Sequence, residues 1–152
     1  MPLLTDRGIG ALTPGMTVDE AKRLCDVTSD ARVPGSEGMM ERILVVDVAG
    51  ETVRALVNEN RIIRLDVRTP RYLTRDSLGV DTSLGRLAAM RGAQFHPGED
   101  GIYAFVAAHC ALSFRFSLPM RPPAGGVWTA RTINAAHGDA AVNRILVTEC
   151  RT

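Results

Sequence analysis

The spacing of apolar positions changes several times along this chain, and each change marks an element. Val18, Ala21, Leu24 and Cys25 recur at helical intervals, with Lys22 and Arg23 on the polar side. Thr17-Val18-Asp19-Glu20 has the order of a capping box, in which the Thr17 hydroxyl accepts from the Glu20 amide and the Glu20 carboxylate reaches back to the Thr17 amide. A helix is expected to start there and to end near Asp26. Residues 26–38, with Pro34, Gly35 and Gly38, hold no period and read as a loop. From Arg42 the period falls to two. Residues 42–48, 52–58 and 61–68 are β-branched runs joined by Ala49-Gly50-Glu51 and Glu59-Asn60, short enough for an antiparallel meander. In the third run Ile63, Leu65 and Val67 alternate with Arg64, Asp66 and Arg68, so one face is expected on the helix and the other in solvent.

The pattern then returns. Gly8-Ile9-Gly10 and Gly15-Met16-Thr17-Val18 are echoed by Ser77-Leu78-Gly79 and Asp81-Thr82-Ser83-Leu84. Ser83 or Thr82 caps a second, shorter helix with Leu84, Leu87, Ala88 and Met90 as its apolar members, ending before Gly92. His96 to Gly101 reads as a turn-rich loop, and residues 102–108 and 111–117 as strands, with Leu112, Phe114 and Phe116 alternating against Ser113, Arg115 and Ser117. Pro119 to Gly126 is an irregular connection interrupting the second sheet, Val127 to Ile133 a strand around Trp128, and residues 141–149 a final strand. The expectation is one α+β domain over residues 1–152, made of two tandem helix-plus-antiparallel-meander repeats, residues 8–69 and 76–149, with an open sheet face.

Composition changes this picture little. A chain of 152 residues buries roughly two-thirds of its surface without help from metal or disulfide. A net charge of +1 supplies no general field for nucleic acid or anionic lipid, so a charged partner must meet a local patch. No apolar run approaches the ~18 residues of a membrane span. Lys22 is the single lysine beside seventeen arginines, which reads as the bias of a GC-rich genome.

Cys25, Cys110 and Cys150 form no zinc-ligand spacing. Cys110 and Cys150 sit at the edges of expected strands, where a disulfide between neighbours is sterically allowed; three reduced, packed cysteines are the alternative. Met1 to Arg7 lacks the apolar core of a signal peptide. The chain is thus expected to be periplasmic or secreted if a signal peptide has been removed, and otherwise cytoplasmic.

Gly8-Ile9-Gly10, Gly15-Met16-Thr17, a short helix and a three-stranded meander resemble the small α/β module of bacterial envelope proteins. That module occurs in the beta-lactamase inhibitor protein family and in BamE-like outer-membrane assembly lipoproteins. The resemblance implies an exported protein that binds other proteins through an exposed sheet face, without catalysis. The chain departs from it in having Asp81 where the first copy has Gly15, no lipid-attachment cysteine before the module, and too few cysteines for two intrarepeat disulfides. Inhibition of a β-lactamase does not carry over.

Candidate chemistry is sparse. His109 and Cys110 are neighbours, and on a strand they would project to opposite faces. His96, Glu99 and His109 could line a ligand or metal pocket at the junction of the repeats, near Asp76, but without the spacing of a zinc site. His137 reads as part of a turn, Ser113 lacks the glycines of a nucleophile elbow, and the glycine-rich stretches lack the order of phosphate or dinucleotide loops. No cofactor is expected. The strongest surface is the arginine row Arg61, Arg64, Arg68, Arg71 and Arg75 with Tyr72 among them. Burial of Tyr72, Tyr103 and Trp128 against a protein partner, oriented by Arg64, Arg68 and Arg115, is the expected use. A salt-dependent anionic polymer is a further candidate for the row.

Overall fold

The computed structural model describes residues 1–150. A small hairpin, β1 (Leu4–Thr5) with β2 (Gly8–Ile9), opens the chain. Helix α1 (Val18–Leu24) follows, and the capping box forms: Thr17 Oγ1 accepts from the Glu20 amide at 3.1 Å and Glu20 Oε1 from the Thr17 amide at 3.0 Å. The contacts with the Thr17 amide and hydroxyl hold the Glu20 carboxyl below its ordinary value. Four antiparallel strands come next: β3 (Asp26–Pro34), β4 (Met40–Val48), β5 (Glu51–Asn58) and β6 (Arg61–Val67). After a long connection, helix α2 (Leu84–Ala88) leads into β7 (Gln94–Gly98), β8 (Gly101–Phe105) and β9 (Leu112–Phe116). Helix α3 (Ala130–His137) precedes the last strand, β10 (Arg144–Val147).

The two groups of strands are one sheet. Its order is β3-β4-β5-β6-β10-β9-β8-β7, and every neighbouring pair is antiparallel. The join is the pairing of β6 with β10, which sets Val67 opposite Ile145, Asp66 opposite Leu146 and Leu65 opposite Val147. Leu44, Val46, Val53, Ala55, Leu65, Val67, Ile145, Leu112, Phe114, Ile102 and Phe95 point to one face and are buried there with α1, α2 and α3. Helices α2 and α3 meet backbone to backbone: the Gly85 amide donates to the Gly138 carbonyl at 3.0 Å, and a Cβ on Gly138 would sit 2.8 Å from the Asn134 carbonyl oxygen. A Cβ on Gly85 would meet Asn134 Oδ1 at 3.0 Å and the Gly138 carbonyl oxygen at 3.3 Å, so a larger residue there would press α2 against α3.

Each helix start is stitched to the strand four places later in its own group, in the same manner. In the first group the Gly15 amide donates to the Ile62 carbonyl at 2.7 Å, the Ile62 amide to Met16 at 2.9 Å and the Val18 amide to Asn60 at 3.0 Å. In the second the Asp81 amide donates to the Val142 carbonyl at 2.7 Å, the Val142 amide to Thr82 at 2.9 Å and the Leu84 amide to Ala140 at 2.8 Å. Gly15 and Asp81 both take positive φ, 95° and 79°. A short aspartate carries there what glycine carries in the first group.

Several sequence expectations are corrected. Residues 26–34 form strand β3, not a loop: it is an edge strand with most side chains exposed, and a bulge between Val27 and Ser29 breaks its alternation. The His96 region belongs to edge strand β7, where Pro97 is tolerated because an edge strand can leave one side unpaired. The segment around Trp128 is not a strand. Thr129 caps α3 there, with Thr132 completing the box, and His137 is the last helical residue rather than a turn residue. A second bulge at Ile63 turns that residue outward, so Ile62, Leu65 and Val67 face the core. The second run of strands is continuous with the first, not an interrupted sheet of its own.

Cys110 and Cys150 are joined as a disulfide, with Cα atoms 5.3 Å apart at a sequence separation of 40. Closing a loop of that length in the unfolded chain stabilises the fold by about 4 kcal/mol in the chain-entropy treatment. The Ala111 amide beside it donates to Asp6 Oδ1 at 3.1 Å, which ties the opening hairpin to the same corner. Cys25 caps the end of α1, half-buried, and burial pushes its thiol up.

Tyr72 lies in the connection after β6 and is fully buried. Its hydroxyl donates to the Val48 carbonyl and pins the connection under the β4–β5 turn. Burial, and then the carboxylates of Glu51 and Asp47, push the phenol from 10.0 up to about 12. The folded state therefore favours the neutral phenol. Its contribution to stability is complete below pH 10.0 and lost as the pH climbs through about 12. In a Tyr103→Phe variant, tyrosinate absorbance should stay flat at pH 10.0 and rise near about 12, together with loss of the fold. A rise centred at 10.0 with the fold intact would show that Tyr72 is open to water.

Candidate functional site

The face of the sheet turned away from the helices carries the arginines. Antiparallel register lays them out in rows across the strands. One row places Arg54 opposite Asp66, Asp66 opposite Leu146, and Leu146 opposite Ser113. The next places Arg144 opposite Arg115, Arg115 opposite Tyr103 and Tyr103 opposite His96, with Arg68 following β6 on the other side of Arg144. Arg64 stands beside Leu56, with Ile43 beyond it. Guanidinium groups directly opposite each other repel, so this row needs counter-charge.

Asp66 supplies part of it. Its carboxylate lies 3.1 Å from Arg144 Nε and 3.3 Å from Arg68 Nη2. Arg115 is held otherwise, donating to Asn143 Oδ1 at 3.1 Å and to the Asp100 carbonyl. Asp30, on β3, shows what a closed cluster looks like: it sits 2.8 and 2.9 Å from two nitrogens of Arg42 and 2.8 Å from Lys22 Nζ. Arg42 first and Lys22 second hold the Asp30 carboxyl well below the usual range. Asp66 makes longer contacts, and the Nε atoms of Arg64 and Arg115 are buried without a hydrogen-bond partner among the described residues. Arginine chemistry on this face is therefore unsaturated.

Of the residues expected to bind a partner, Arg64, Arg68, Arg115 and Tyr103 share this outer face. Tyr103 is covered by the β7–β8 turn, with its hydroxyl donating to the Glu99 carbonyl at 3.3 Å. Tyr72 and Trp128 are core residues, so neither ring is offered to a partner; Trp128 Nε1 donates to the Pro119 carbonyl at 3.1 Å and its ring packs edge-on against His137. Arg71 pairs with Glu51 at 3.2 Å, and Arg61 donates to the Gly15 carbonyl at 2.8 Å. Sequence reading missed Arg54 and Arg144.

His96, Glu99 and His109 do not assemble. His96 Nε2 contacts Gln94 Oε1 at 3.1 Å on the outer face, while His109 Nε2 lies 3.0 Å from Asp76 Oδ1 in the connection between the groups. Burial pushes the Asp76 carboxyl up, but the Thr74 hydroxyl, its own amide and His109 outweigh burial and leave it below its ordinary value. Among the described residues, Asp6, Cys110 and Cys150 are the one grouping of metal-ligating types within reach of a common ion, and its two cysteines are disulfide-bonded.

No family model matches the chain, and no curated protein matches it at a significant level. Among solved structures it is similar to the uncharacterized protein YfeY from Escherichia coli, with a TM-score of 0.66 and 16% identity, over 96% of this chain and 99% of that one. The shared property at that identity is the fold.

Because Asp66 stands between Arg68 and Arg144, its neutralisation should be felt in stability. Asp66→Asn is expected to lower it by about 1–3 kcal/mol at low ionic strength, with much of the loss recovered at roughly 0.5 M salt. Denaturant titration at the two ionic strengths measures this, and an equal loss in both would remove charge from the explanation.

Proposed function

We propose that the chain is a noncatalytic module that captures an acidic segment of a protein partner on the outer face of its sheet. The observation that carries this reading is the row Arg68, Arg144 and Arg115, three arginines side by side over three adjacent strands with one carboxylate, Asp66, between them and incomplete pairing. Arginine forks pair well with carboxylates, and complementary potential draws an acidic partner onto such a face. The chain as a whole is nearly neutral, so attraction is confined to this patch.

The same reading takes the two groups of elements as tandem repeats. The matched amide-to-carbonyl bonds at Gly15 and Asp81, Met16 and Thr82, and Val18 and Leu84 support it, as does the shared positive φ. It also takes the protein as exported by a bacterium, in keeping with the resemblance to envelope modules of the beta-lactamase inhibitor and BamE-like kinds. A disulfide between Cys110 and Cys150 fits an oxidising compartment.

Binding of a dye-labelled oligoglutamate peptide, followed by anisotropy, tests the reading. The Arg64→Ala, Arg68→Ala double variant should bind at least about tenfold more weakly while melting close to the unsubstituted protein, and affinity should fall as salt is raised. Equal affinity of variant and parent, or no binding by the parent, would refute it.

A further inference from the structure

The outer face is not flat. It holds a pocket of about 180 Å³ whose lining runs from Val33 and Pro34 at the end of β3 to Arg144 on β10. Its charged lining is Arg54, Arg64, Arg68 and Arg144 on one side of the ledger and Glu41 and Asp66 on the other. The pocket thus has an excess of two positive charges.

We infer that this pocket is a subsite for a phosphomonoester dianion, which on the reading above is carried by the partner's segment. A phosphoryl group on an ester oxygen bears about −1.5 to −2 charges near neutrality, matching the excess, whereas a carboxylate or a phosphodiester bears about one and leaves the pocket cationic. Several acceptor oxygens on one centre suit several arginines converging from different strands, because each guanidinium offers a planar fork. Arg54 comes from β5, Arg64 from β6 and Arg144 from β10, with Arg68 just beyond β6. Three adjacent strands thus contribute guanidinium groups to one pocket. The pocket's volume admits one such group and its solvating water, not an extended polyanion. Asp66 is the resident counter-charge: at 3.1 and 3.3 Å from its arginines it is held more loosely than Asp30 among its own partners at 2.8 and 2.9 Å. Arg64 keeps a buried Nε donor without a hydrogen-bond partner beside it.

Two labelled peptides of one sequence separate this inference from the broader reading of the face, the first with a single phosphoserine and the second with two glutamates of equal total charge. The phosphoserine peptide should bind at least about tenfold more tightly, and inorganic phosphate should displace it. Arg64→Lys, which keeps the charge and loses the fork, should bring its affinity down to that of the glutamate peptide. Arg54→Gln, at an exposed position where folding is not at stake, should weaken it as well. Equal affinities in the parent protein would overturn the dianion subsite and leave acidic capture standing; no binding of either peptide would overturn both. A phosphoserine preference that survives both substitutions, or that inorganic phosphate cannot displace, would place recognition outside this pocket and overturn the assignment.

Discussion

Three residue pairs between β6 and β10 join the two groups of strands into one sheet. Without them the sheet would divide into two four-stranded groups, each stitched to its own helix start. The partners at the join, Leu65 with Val147 and Val67 with Ile145, point into the core, so the pairing is hydrogen-bonded along its length and hydrophobic on its inner side. Buried apolar side chains fix the register there, because a slip of one residue would turn the whole set outward. Buried side chains at the join are thus responsible for what the opposite side displays.

That opposite side follows from the inward constraint. If Val67 and Ile145 face the core, then Asp66, Arg68, Arg144 and Leu146 must face out, and the neighbouring β9 adds Arg115 to the same row. Repulsion among these arginines is held in check by Asp66 and by the Asn143 and Asp100 contacts of Arg115. A surface that served stability alone would be better off with fewer guanidinium groups in one row. The proposed capture of an acidic group gives that arrangement a use.

Local chemistry made some of this legible in the sequence. The capping box at Thr17 and Glu20 marks α1, and the alternation of residues 61–68 separates Arg64, Asp66 and Arg68 from the core-facing positions. The α+β class follows from these elements. Strand β3 was hidden because an exposed edge has no buried side to impose a period, and α3 because Trp128 and Ile133 look β-like and its box uses Thr132 where glutamate is the familiar signal. Arg54 could have been found by pairing the runs on either side of Glu59-Asn60, which sets it opposite Asp66. Arg144 could not, since its place in the row depends on β10 lying beside β6, a contact between segments nearly eighty residues apart. The same distance effect concealed the burial of Tyr72, whose hydroxyl partner Val48 belongs to a turn well upstream.

The claim that the join makes one cooperative sheet is the one on which the outer face depends, and native-state hydrogen exchange of backbone amides reads it most directly. The account predicts that the most protected amides of β5 and β6 and those of β9 and β10 exchange with a common free energy, equal to that of global unfolding. Exchange of one group at a markedly lower free energy, with the other still protected, would mean that the halves open independently and that the arginine row is not a fixed surface.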